Sequence, residues 1–180
     1  MAHTFRLRRF ERELNWTSHM SRINTLTPAC NAQVQPELQQ VIELAWCAGF
    51  VDGEGCIHIS KHQMKGRRNP TYRLTLSVSQ NHRGSLERVA RALNVPARIY
   101  PVKRSLQMNR DSFVLSVNDQ DAHRALGDLL PYLGRKAPEA EVAIDGYQVG
   151  QLSVHPGPKG HKPAIWKIRE SYRLKLQRMK

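Results

Sequence analysis

Midway along the first third of the chain, the spacing of apolar residues switches from helical to strand-like with no loop between. Leu38, Val41, Ile42, Ala45 and Gly49 recur at three- and four-residue intervals, which is one face of a helix. The helix opens near Pro36, a favourable first-turn residue, with Glu37 beside its positive end. It runs into Val51-Asp52-Gly53-Glu54-Gly55 and ends there, because Gly53 and Gly55 sustain a helix poorly. The next residues, CIHISKH, alternate, with Ile57 and Ile59 on one side and His58 and Ser60 on the other.

The rest of the chain extends this start. Lys65 to Pro70 reads as a hairpin loop. In the second strand Tyr72, Leu74, Leu76 and Val78 face one way, and Arg73, Thr75, Ser77 and Ser79 the other. Leu86, Val89, Ala90 and Leu93 make a second amphipathic helix. RIYPVKR and SFVLSV form a second hairpin, and Pro101 puts the third strand at an edge or at a bulge. Asp119 to Leu130 is a third helix stopped before Pro131, Ala137 to Tyr147 a fourth, and Ala164 to Lys180 a basic last one. The fold class is therefore α+β: a four-stranded antiparallel sheet with helices on one face and the other face free. Residues 1–35 read as a basic N-terminal arm or linker, 36–149 as the main domain, and 150–180 as a Gly/Pro-rich connection with the basic helix.

Charge points to the partner. Lys plus Arg number 28 against 15 acids, a net +13. From Ile57 to Arg110 there are twelve Lys or Arg residues and one acid, Glu87. Such one-sided charge repels itself, and a phosphate backbone relieves it through counterion release. No run of about 18 apolar residues spans a membrane. The N-terminus lacks the apolar core of a secretory signal. Cys30, Cys47 and Cys56 are an odd, sparse set that suits an intracellular, reducing compartment. His58 and His62, four apart on a strand, lie about 13 Å from each other, too far for one metal. GxxxxGK[ST] is absent, and Trp16, Trp46 and Trp166 are not spaced as a base-stacking platform.

Three segments, in order, carry a family resemblance. LAWCAGFVDGEG, Leu44 to Gly55, resembles the signature of the LAGLIDADG homing endonucleases, with Cys47 in place of the usual leading Leu. LSVSQN, Leu76 to Asn81, resembles the strand end that supplies an active-site Gln, and LLPYLGRKAPEAEVAI, Leu129 to Ile144, the segment that supplies a catalytic Lys. The resemblance covers about residues 38–147 and leaves both ends of the chain unplaced.

The resemblance implies the family's αββαββα core and Mg²⁺-dependent hydrolysis of a long duplex site, with Ca²⁺ supporting binding without cleavage. Glu54, Gln80 and Lys136 would be catalytic. Glu54 and the Gly53 backbone carbonyl would hold the metal, and Asp52 would serve the turn. Cuts would fall across the minor groove and leave short 3′ overhangs.

The small stripe Ala45, Gly49, Gly53 lets two helix backbones approach closely, and with a single motif the chain resembles the homodimeric kind, which suits a pseudo-palindromic site. Two Glu54 carboxylates brought together in this way repel unless a divalent cation lies between them.

DNA contact would fall to the outer sheet face and hairpins: His58, Ser60, Lys61, Lys65, Arg67, Arg68, Arg73, Thr75 and Ser77, then Arg98, Tyr100, Lys103, Arg104 and Ser112, with Arg135 on a phosphate. A non-cleaving DNA-binding protein on the same fold, or a maturase that binds intron RNA, are the competing readings.

Overall fold

Helix α1, Pro36–Glu54, passes into strand β1, Gly55–His62, with no residue between them. Gly55 makes this possible. A Cβ there would stand 2.6 Å from the Val51 carbonyl oxygen and 2.8 Å from Val51 Cγ1. The chain turns back against its own last helical turn at a distance only glycine tolerates.

The computed structural model describes residues 35–66, 69–96, 98–102, 111–154 and 161–180. The N-terminal arm through residue 34 and the predicted contacts Arg67, Arg68, Lys103 and Arg104 lie outside the described residues. After β1 come β2 (Thr71–Gln80), α2 (Arg83–Ala92), β3 (Ile99–Pro101) and β4 (Phe113–Asn118). Then follow α3 (Asp119–Leu129), a 3-10 turn at Leu130–Tyr132, α4 (Ala137–Val149) and α5 (Pro163–Arg178). The sheet is antiparallel in the order β1-β2-β4-β3. Pro101 ends the edge strand β3, where its missing N–H breaks no interior ladder. Pro131 does not stop the helical path at once. It falls in the first turn of the 3-10 segment, where a proline is tolerated, so α3 tightens before it ends.

Alternation decides the core. Ile57 pairs with Leu76 and Ile59 with Leu74 across β1 and β2, while Leu76 pairs with Val117 and Val78 with Leu115 across β2 and β4. All seven are buried, together with Val51 of α1, Leu86 and Val89 of α2, Leu126 and Leu129 of α3, and Ala140 and Ala143 of α4. Each Val, Leu or Ile among them contributes roughly 1.5–3 kcal/mol on burial, which holds the helices on one face of the sheet.

Two anchors have weak sequence signals. His82 caps α2, its ring nitrogen accepting from the Ser85 N–H at 3.2 Å, a task more often given to Ser or Asp. Helix α5 is part of the core: Leu176 is buried, and the buried Arg169 donates to the carbonyls of Gly150 and Gln151, both at 2.7 Å. These bonds close the C-terminal end of α4, where carbonyls lack helical partners. The Tyr72 hydroxyl donates to Glu170 of α5 at 2.6 Å. No described helix is long and apolar enough to cross a membrane.

Helix α1 is apolar on two sides. Cys47, Ala48 and Val51 face the core. Burial pushes the Cys47 thiol up to about 12, so it acts as a small hydrophobe. On the other side Leu38, Val41 and Ile42 are 54%, 42% and 46% exposed, in line with exposed Ala45, Gly49 and Gly53. A Cβ added at Gly49 or Gly53 would meet nothing within 4 Å. Glycine inside a helix costs about 1 kcal/mol relative to Ala, and no contact among the described residues requires it here.

Candidate active site

The end of α1 is tied to the start of α4 through one residue. The Asp52 carboxylate accepts the Gly134 N–H at 2.7 Å through Oδ2 and the Lys136 N–H at 2.9 Å through Oδ1. The Asp52 backbone carbonyl accepts Lys136 Nζ at 2.5 Å and an Arg135 guanidinium N–H at 3.2 Å. Burial pushes the Asp52 carboxyl up, but the N–H groups of Lys136 and Gly134 and the Lys136 charge outweigh it, and the group titrates below its ordinary range. This residue is structural, as the family pattern implies.

Lys136 is only 3% exposed. Burial lowers its pKa most, and Arg135 adds to that, while Glu139 and Asp52 oppose. Its surroundings make its charge expensive, and a developing anion would stabilise that charge strongly. Two residues beyond Asp52, the Glu54 carboxylate is exposed, and among the described residues nothing hydrogen-bonds or ion-pairs with it. Gln80 lies on the other side of this seam. Gly55 pairs with Val78, so Gln80 is two residues past it, about 7 Å farther along β2. The Gln80 side-chain carbonyl accepts the Asn81 N–H at 2.7 Å. Lys136 is thus tied to the residue two before Glu54, and the backbone of Gln80 lies two residues past the Gly55 pairing.

A metal fits here only as a shared ligand. Glu54 offers a hard carboxylate oxygen, and the Gly53 carbonyl lies in the last helical turn, where intrahelical partners run out. Among the described residues no group of three or more His, Cys, Asp or Glu side chains could hold an ion. The remaining oxygens must come from a second copy, from phosphate or from water.

The outer sheet face is polar. Cys56 pairs with Ser77, His58 with Thr75 and Ser60 with Arg73, while Ser77 and Thr75 pair onward with Ser116 and Asn118. Tyr100 is 56% exposed, and Lys65 and Arg98 are exposed. Ser112 is half-buried, and its carbonyl accepts the Val102 N–H at 2.8 Å. Three predicted contacts are committed elsewhere. Lys61 shares the side of Ile57 and Ile59 and pairs with Glu170 at 3.2 Å. Thr75 is buried and donates to Asn118 at 3.0 Å. Arg73 pairs with Asp119 at 3.2 Å while staying half exposed. Arg135 remains largely exposed and lies beside the junction.

Residues 47–133 match the LAGLIDADG endonuclease family. That stretch, a little under half of the chain, is similar to the LAGLIDADG endonucleases. Solved structures agree on its fold. The homing endonuclease I-CvuI in complex with its target superposes with a TM-score of 0.62 at 21% identity, over 79% of this chain and 84% of that one. The archaeal intron-encoded homing endonuclease I-Vdi141I, complexed with DNA, gives 0.61 at 14% identity, over 78% and 86%. I-GzeII, a LAGLIDADG homing endonuclease in complex with its DNA target, gives 0.52 at 16% identity over 76% of this chain, which spans 43% of that longer one. No curated protein sequence matches the chain.

The Asp52 tie generates a stability prediction. Asp52→Ala leaves two N–H donors without their acceptor and should cost about 1–3 kcal/mol, read from urea midpoints. Because the folded carboxyl titrates low, its contribution is present above the ordinary Asp range and is lost as pH falls through the folded value. The gap between wild type and variant should therefore close in acid. A constant gap from neutral to acid pH would contradict the assignment.

Proposed function

We propose that the chain is a site-specific double-strand DNA endonuclease, acting as a homodimer with Mg²⁺ on a long pseudo-palindromic site. The observation that carries this reading is the Glu54 carboxylate, exposed and without a partner among the described residues, two residues beyond the Asp52 that holds the buried Lys136, at the end of a helix whose small-residue face is uncovered. The family match and the DNA-bound relatives support the DNA partner, and I-CvuI on DNA with calcium, or with magnesium and its DNA not cleaved, supports a divalent ion at such a site without bearing on the cut.

Ala45, Gly49 and Gly53 of two copies would meet and bring their Glu54 side chains together. Glu54 and the Gly53 carbonyl would hold the ion. Bound there, Mg²⁺ supplies Lewis-acid polarisation of phosphoryl oxygen and a lowered water pKa. Lys136 presents its ammonium to the charge that develops on the scissile phosphate. Gln80, which can both donate and accept, orients the attacking water. His58, Ser60 and Ser77 face the duplex with the hairpin tips, and basic residues set its register on phosphates.

A randomised duplex library incubated with Mg²⁺ and scored by recovered ends tests the reading. The account expects cuts at a site with approximate two-fold symmetry and short 3′ overhangs. Tight binding with no recovered ends would leave a DNA-binding protein in place of a nuclease. Gly49→Leu gives an independent check on assembly. Nothing within the described chain opposes the side chain, and helix propensity favours it by several tenths of a kcal/mol. The variant should fold at least as stably as a monomer yet lose dimer mass in sedimentation, and an unchanged dimer would remove the proposed interface.

A further inference from the structure

The C-terminal helix carries more than core packing. Its last turn reaches round the edge of β1 onto the outer sheet face. Cys56 and His58, which share that face with Ser77 and Thr75, line a groove of about 310 Å³ with Ile59, Arg173, Leu176, Gln177 and Lys180. We propose that this groove is a phosphate seat, in which Lys180 and Gln177, beside His58, take a backbone phosphate of the bound duplex next to the cutting centre. The proposal rests on the DNA-binding reading above.

Four observations support it. Lys180 Nζ lies 2.8 Å from Cys56 Sγ, and among the described residues no carboxylate pairs with it. A thiol is a weak acceptor for an ammonium with three N–H donors, whereas a phosphate oxygen is a strong one. Arg173 donates to Gln177 Oε1 at 3.2 Å, which leaves the Gln177 amide N–H groups as free donors. Glu170, the acid on this helix, is already engaged by Arg173 at 2.8 Å, by Lys61 and by Tyr72, so the groove keeps its positive charge. Burial and then Lys180 hold the His58 pKa below its ordinary value, and the negative charge of an anion in the groove would oppose that shift.

The position is close to the reaction. Cys56 follows Glu54 by two residues, so the groove opens on the strand that leaves the proposed cutting centre. The plain alternative is a solvated basic helix end that adds charge without a defined contact.

The test uses the full chain, a mixed-sequence duplex and Ca²⁺, with affinity measured across a salt series. Lys180→Met should flatten the slope of log affinity against log salt by about 0.9 per protomer, the loss of one phosphate contact. Lys175→Ala, which changes an exposed lysine outside the groove, should leave the slope unchanged. In the wild-type protein, saturating duplex should slow alkylation of Cys56 by N-ethylmaleimide, read by mass on the Cys56 peptide, and high salt should restore the rate. If wild type binds duplex but Lys180→Met keeps the full slope, or Lys175→Ala flattens it equally, or Cys56 reacts at one rate with and without duplex, the seat is wrong and the DNA-binding reading stands. If wild type binds no duplex, both fall.

Discussion

The hydrogen bonds of Asp52 decide where everything else at the junction lies. Its carboxylate holds the backbone of Gly134 and Lys136, and its carbonyl holds the ammonium of Lys136 and the guanidinium of Arg135. The end of α1 and the start of α4 are thereby fixed directly to each other, although all four strands separate them in the sequence. Without the tie, Lys136 would be a lysine on a helix-starting turn with no set distance to Glu54. With it, a buried cation and a free carboxylate occupy one seam. Gly55 completes the arrangement, because β1 can leave the helix at once only where no Cβ stands against Val51.

Helix α1 then poses a packing question that the single chain does not answer. Amphipathic helices bury one stripe, and this one has two. The face with Cys47, Ala48 and Val51 is covered, while the face running from Leu38 through Ile42 and Ala45 to Gly53 is open. Two glycines on the open face weaken the helix and relieve no contact among the described residues. The proposed dimer would give them a purpose, close approach by a second copy, and would double the carboxylates at the centre. It would account, too, for how few metal ligands the described residues bring together.

Much of this was legible because it is local. The α1–β1 seam, the alternation of β2 and the helical spacing of α2 depend on neighbours a few residues apart, and the structure follows them. The α4 approach to α1 was legible only through the family resemblance, since no periodicity links Asp52 to Gly134. Other features are tertiary. Lys61 continues the alternation of Ile57 and Ile59, but its charge suggested the solvent face, and only Glu170 of a distant helix explains its side. Thr75 reads as solvent-facing, yet it lies in β2, flanked on both sides by β1 and β4, and its hydroxyl turns to Asn118. Helix α5 hides its anchors among basic residues. Leu176 and Arg169 look like part of a solvated helix until the carbonyls of Gly150 and Gln151 come within reach.

The account stands on Glu54 as the carboxylate that turns a DNA-binding fold into a nuclease. Glu54→Gln keeps the size of the side chain and removes the charge a divalent ion requires. The direct measurement is single-turnover cleavage of the selected duplex with Mg²⁺, run beside binding in Ca²⁺. The account predicts that the variant binds as well as wild type, or better, while cleavage falls by about a hundredfold or more. Cleavage by Glu54→Gln at the wild-type rate would contradict it and move the active centre away from the α1–β1 junction.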